Sequence, residues 1–291
     1  MAAKIWAFLN FKGGVGKTTD TVNLAAILAK HPDFRGNRVL VIDQDPQCNA
    51  TLWFLTRERY HVATSRNKSA YHLYEAQMRG SQVPIQDVIT PVYRDPESGG
   101  GIDLVGASFD MLEQEEDPSL GGEAAKAATV IQRAIEPVRN AYDYILIDCP
   151  PGYSIFTRNA LRAAQHVIVP YTADYLALEG IKWIKQLRDR FARGHADPNS
   201  VARIGGVIVN RYRAGFRASD AALAELRVVL DELGAQTGEK IHLFRPFIRE
   251  ATAVTAANNE QRALVDCEPT AVRRDFIRVA HDLVQTFRRH V

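Results

Sequence analysis

Cysteine, bulk charge and long apolar runs are all scarce in this chain. Three cysteines, Cys48, Cys149 and Cys267, stand among 291 residues. They are too few and too scattered for a disulfide framework or a zinc site. A reducing cytoplasm fits that usage. No apolar run reaches the roughly 20 residues of a membrane-spanning helix. Met1-Ala2-Ala3-Lys4-Ile5 enters an apolar run almost at once. That leaves no room for a signal peptide and predicts no separate N-terminal DNA-binding domain. The formal net charge is only +2, so affinity for DNA or an anionic membrane has to come from a local patch. What is plentiful is apolar sequence. Hydrophobic residues make up 46% of the chain, enough for one large α/β domain or two small ones.

The most specific chemistry lies in Asn10-Phe11-Lys12-Gly13-Gly14-Val15-Gly16-Lys17-Thr18-Thr19. It follows the apolar run Ile5 to Leu9 and precedes a helical pattern. Strand, glycine-rich loop and helix in that order form a phosphate cradle. Glycines let the loop turn successive N–H groups inward on an anion, and the helix adds its positive dipole end. Lys17 is placed to reach the β- and γ-phosphates, and the Thr18 hydroxyl to ligate Mg²⁺. The usual pattern has glycine where Phe11 stands, and Lys12 is an additional lysine at the loop's mouth. A solvated surface lysine is the plain account of Lys12.

The rest of the chain alternates strand and helix patterns. Continuous apolar runs at Arg38 to Asp43 and Tyr144 to Asp148 each end in a carboxylate. Such runs suit strands buried on both faces of a parallel sheet, with ligand groups beyond their carboxyl ends. Further strands are predicted at 102–105, 166–170, 204–210 and 241–244. Helices are predicted at 21–30, 70–79, 123–138, 155–164, 177–191, 220–233 and 270–289. Residues 57–101 are more polar, and Gln114 to Asp117 reads as an exposed acidic segment. The expected fold is α/β, one doubly wound, mostly parallel sheet flanked by helices over residues 1–291. Asp148 is the natural Mg²⁺-holding carboxylate at a strand end; a helix N-cap is the plainer use of such a residue.

Two strings resemble one family. Lys12 to Thr19 is similar to the deviant phosphate loop of the ParA/MinD ATPases. Asp43-Gln44-Asp45-Pro46-Gln47-Cys48-Asn49-Ala50-Thr51 is similar to that family's second signature. The resemblance implies that Lys12 crosses a dimer interface to the partner's nucleotide. It implies that Asp45 orients or activates the attacking water and that Asp43 assists the Mg²⁺ shell. A simple Asx-turn is the alternative for Asp45-Pro46. Cys48 replaces the family's usual glycine and puts the local backbone conformation in question. Tyr171 to Gly180 extends the likeness. Asn210 stands where relatives read the adenine edge with an amide. Arg211-Tyr212-Arg213 follows it in place of a guanine-specific Lys-x-Asp, so ATP is favoured over GTP. Pro246 to Glu250 departs from the family pattern.

The resemblance implies a weak, partner-stimulated ATPase using ATP and Mg²⁺. It would be cytoplasmic, form an ATP-dependent homodimer, associate with the nucleoid through non-specific DNA, and answer to a ParB-like or other cargo adaptor. Residues 181–217 carry nine basic side chains against the acidic Asp189 and Asp197. Arg188, Arg190, Arg213 and Arg217 are the candidate DNA contacts, with Trp183, Ile184, Leu187 and Phe191 expected on the core side of their helix. A solvated helix face is the bland alternative. A MinD-like membrane-cycling ATPase would instead use the stripe Phe276, Ile277, Ala280, Leu283, Val284 and Phe287 on lipid. A metabolic enzyme of the same fold, an iron protein or a synthetase, is the third class. Neither Cys48 nor Cys149 sits in an iron protein's pattern.

Overall fold

The structure, a computed structural model, describes residues 2–116, 129–173, 175–193 and 200–288. The apolar runs become strands β1 (Lys4–Phe8), β2 (Arg38–Asp43), β4 (Gly101–Val105), β5 (Tyr144–Asp148), β6 (His166–Thr172) and β7 (Arg203–Asn210). Two strands lie at the edges, β3 (Thr90–Arg94) and the two-residue β8 (His242–Leu243). All eight belong to one sheet in the order β3-β4-β2-β5-β1-β6-β7-β8. Every neighbouring pair is parallel except β3 with β4. The residues of β4 and β5 are buried throughout, because helices cover both faces.

Register sets the site. Asp43 at the end of β2 and Phe8 at the end of β1 both lie level with Asp148 of β5. The carboxyl ends of the three central strands therefore open onto one shelf. The phosphate loop leaves β1 there and feeds the helix Lys17–Lys30.

The last helix, Ala271–Arg288, uses its apolar stripe as core. Phe276, Ala280, Leu283, Val284 and Phe287 are buried, and Ile277 is partly so. Phe287 stacks on His166 at 4.2 Å and meets Trp6 at 5.5 Å. Each such side chain contributes roughly 1.5–3 kcal/mol by burial, so offering the stripe to lipid would unpack one face of the sheet. Among the described residues no helix is long and apolar enough to cross a membrane.

Several expectations are corrected. Trp183 lies 58% exposed rather than on the core side, while Ile181 and Ile184 face inward. Gln114 is buried and donates to the Tyr71 carbonyl at 3.0 Å, because its amide finds a backbone acceptor; Asp117 lies outside the described residues. In the predicted helix 123–138, residues 123–128 are likewise outside them. The described part is a short helix, Val130–Ile135, tightening into a 3₁₀ segment at Glu136–Ala141 where Pro137 enters. The strand β3 was unexpected. It contains Pro91 and a register shift between Pro91 and Tyr93, as an edge strand tolerates.

Candidate nucleotide site

The phosphate loop is shaped from beneath by buried amides. Asn10 is buried at the end of the β1 run; its Nδ2 donates to the Pro170 carbonyl at 2.7 Å and its Oδ1 accepts the Lys12 N–H at 3.1 Å. Gly14 and Gly16 take φ of +74° and +102°, a backbone that L side chains adopt only under strain. Gly16 has a second constraint, since a Cβ there would stand 2.6 Å from Asn210 Nδ2. Gly180, in the helix Tyr175–Arg193, packs just as closely on the loop's anchor, with a Cβ position 2.9 Å from Asn10 Oδ1. Nothing in the sequence around Gly180 signals that contact.

Lys17 is buried, and its Nζ donates to the Lys12 carbonyl at 3.3 Å. Burial pulls its ammonium below the ordinary lysine range, and Asp148 and Asp45 oppose that shift. An anion in the loop would strengthen the charged form further. The Thr18 hydroxyl donates to Asp148 Oδ2 at 2.7 Å, and Thr21 donates to Asp148 Oδ1 at 3.3 Å. Burial, with the charge of Asp43 beside it, raises the Asp148 carboxyl well above the carboxylate range. A hydroxyl and a fully buried carboxylate, short of positive charge, form a hard oxygen donor set that suits Mg²⁺ better than a softer metal. Thr18 and Asp148 would hold the ion there, and a bound ion would supply positive charge against the charge that develops on the phosphates.

Asp43 fastens the loop after β2. Its Oδ1 accepts the Asp45 N–H at 3.0 Å, and its Oδ2 accepts both the N–H and the hydroxyl of Thr51, at 2.8 and 2.7 Å. Thr51 in turn accepts the Ala107 N–H at 2.8 Å, tying the loop to the segment just after β4. Asp45 Oδ1 accepts the Gln47 N–H at 2.9 Å. No other described residue bonds its carboxylate, which burial raises above the usual range. Cys48 holds the backbone turn that glycine would favour, at φ 57°. Its thiol is packed against Tyr60 and the Pro46 carbonyl, and burial pushes it up to about 12. Cys149 is buried too, and its thiol is raised well above the ordinary range. Neither thiol is poised as a nucleophile or ligand.

Asn210 ends β7 and donates through Nδ2 to the Val15 carbonyl at 3.0 Å and to Asp20 Oδ2 at 2.8 Å. The sequence reading missed Asp20. A carboxylate in the first turn of a phosphate-bearing helix was the available signal. The basic stretch is more evenly neutralised than its own count suggests. Lys182 pairs with Glu179, Lys185 and Arg188 share Asp189, Arg203 pairs with Glu239, and Arg213 with Glu250. Arg188 also donates to the Ala202 carbonyl at 3.2 Å. Arg190 and Arg217 are exposed, with no ion-pair partner among the described residues. Arg190 lines an open groove of about 790 Å³ with Phe11, Tyr153, Trp183 and Leu187, at the mouth of the phosphate loop. Asp174 and Asp197 lie outside the described residues.

The sheet order and the loop define a P-loop nucleoside triphosphatase fold. A family model described as an AAA domain matches residues 3–195. The chromosome-partitioning ATPase Soj of Treponema pallidum is 33% identical over 211 residues, covering 72% of this chain and 72% of that protein. The chromosome partitioning protein ParA of Caulobacter vibrioides is 30% identical over 241 residues, covering 82% of this chain and 78% of that protein. Among solved structures, apo McdA from Cyanothece superposes with a TM-score of 0.75 at 21% identity, covering 97% of this chain and 99% of that one. That likeness concerns the fold. The chain belongs to the Soj/ParA family of P-loop ATPases.

Proposed function

We propose that this protein is a ParA-type ATPase that binds ATP with Mg²⁺, dimerises on it and positions a plasmid, chromosome or protein cargo. One observation carries the reading: Lys17, Thr18, Asp148, Asp43 and Asp45 gather where β1, β2 and β5 end. In this reading Gly13 to Thr19 cradle the phosphates, Lys17 steadies the β- and γ-oxygens, and Asp45 takes up or orients the attacking water's proton. Asp43 keeps Asp45 in place and adds charge beside the cation. In this reading Lys12, at the loop's mouth, reaches across the dimer to the partner's nucleotide, and the groove lined by Tyr153, Trp183 and Arg190 stays open on the assembled dimer.

The dimer would present Arg188, Arg190, Arg213 and Arg217 to DNA phosphates, without sequence preference and with strong salt dependence. A ParB-like or other adaptor would then stimulate hydrolysis and release the dimer. The test measures binding to non-specific DNA and to anionic liposomes with ATP, with ADP and without nucleotide. DNA binding only in ATP is expected, lost in the Arg190→Glu, Arg217→Glu double variant while ATP-dependent dimerisation survives. Liposome binding in ATP without DNA binding would overturn this reading in favour of a membrane-cycling ATPase.

A further inference from the structure

Asn210 stands where the family resemblance places the residue that reads the base, and its amide is already half spent. Its Nδ2 donates both hydrogens, one to the Val15 carbonyl at 3.0 Å and one to Asp20 Oδ2 at 2.8 Å. The Val15 carbonyl is an acceptor in any protonation state, so the nitrogen must face the loop and the oxygen must face away. No described residue donates to Asn210 Oδ1. Asp20 is fully buried, and its Oδ1 has no hydrogen-bond partner among the described residues. A carboxyl is costly in such a place, beside Asp148 and within one turn of Lys17. Its contact with Asn210 is the only side-chain hydrogen bond it makes among the described residues.

We infer that Asp20 is a positioning residue for base selection. By consuming the second amide hydrogen it locks Asn210 so that only an acceptor, Oδ1, faces the base. An acceptor-only edge pairs with a purine bearing an amino group at its six-position, as adenine does. It meets a purine bearing a carbonyl there, as guanine and hypoxanthine do, oxygen against oxygen. Without Asp20 only the Val15 carbonyl still holds the amide, so turning the side chain over to suit a six-position carbonyl costs one hydrogen bond in place of two. The inference rests on the proposed ATP reading and deepens it. Gly16 belongs to the same arrangement, because any side chain there would strike the Asn210 amide.

Competitive displacement of a fluorescent ribose-labelled ADP gives the dissociation constants of ATP and inosine triphosphate. These two differ in the group that faces Oδ1. The parent should prefer ATP by roughly tenfold or more, the scale of one mispaired buried polar group. Asp20→Ala should bring that ratio to within about threefold, mainly by improving the binding of inosine triphosphate. Asp20→Asn keeps an acceptor for the amide and should keep the preference. If Asp20→Ala does not fold, Asp20→Ser, polar but too short to reach the amide, provides the same readout. An unchanged ratio in Asp20→Ala or Asp20→Ser overturns the role of Asp20 and leaves the ATP reading standing. A parent that binds neither triphosphate overturns both.

Discussion

Replacing Asp45 should separate the proposed water positioning from phosphate binding. The carboxylate is buried within electrostatic reach of Lys17, and a single described donor, the Gln47 N–H at 2.9 Å, engages it. The remaining oxygen is the group available to a water. Removing a positioned general base costs about 10²- to 10⁴-fold in rate, or roughly 3–5 kcal/mol of transition-state stabilisation. The phosphate contacts belong to other residues, so ATP affinity should hold in Asp45→Ala, or tighten slightly as a negative charge leaves. Folding stability should change little. About 1 kcal/mol is lost with the Gln47 hydrogen bond, offset by removing a carboxylate whose burial raises its pKa. Asp45→Asn keeps the acceptor for Gln47 and loses the charge, so it should match the alanine variant in rate and the parent in loop geometry. The assays are phosphate release at saturating ATP and Mg²⁺, equilibrium nucleotide binding, and light scattering with ATP. Both variants should accumulate as ATP-bound dimers. Hydrolysis by Asp45→Ala within about threefold of the parent would refute the assignment, as would an equal loss of ATP binding.

Lys12→Gln should weaken ATP-dependent dimerisation in light scattering while monomer nucleotide binding survives, whereas Lys17→Gln should weaken binding itself; equal dimerisation by Lys12→Gln and the parent would dismiss the cross-subunit lysine. Gly180→Ala should reduce ATP affinity severalfold without changing Mg²⁺ dependence, because its methyl displaces Asn10 from beneath the loop; titration calorimetry showing parental affinity would mean the helix yields instead. Burial raises the Asp20 carboxyl well above the carboxylate range. A raised folded-state pKa contributes stability that is full below the unfolded value, near 4, and is lost as pH rises from there. Asp20→Asn should therefore melt a few degrees above the parent at pH 7, on the order of 2–5 °C for 1–2 kcal/mol. The gap should close towards pH 4, and a constant gap across that range would rule out the carboxyl as its source.

The residues proposed to meet phosphate, cation and water were legible because their spacing is local. A glycine loop between a strand and a helix, and carboxylates at the ends of apolar runs, carry their geometry in consecutive positions. The parallel sheet was legible for the same reason, since strands buried on both faces are apolar without alternation. Cys48 shows the limit of a pattern: the turn the family fills with glycine is kept, because burial of the thiol against Tyr60 offsets an unfavourable φ.

Contacts between distant positions were decided only by the fold. No local pattern pairs Asp20 with Asn210, 190 residues apart, or sets Gly180 beneath Asn10. The charge of the stretch 181–217 was countable, but part of its neutralisation depended on Glu239 and Glu250, which folding brings back against Arg203 and Arg213. Trp183 fits an apolar helix stripe by type and faces outward by position. Composition and local order determined which groups could meet a nucleotide. Strand register, and the close packing that only glycine allows at positions 16 and 180, decided where each of those groups is held.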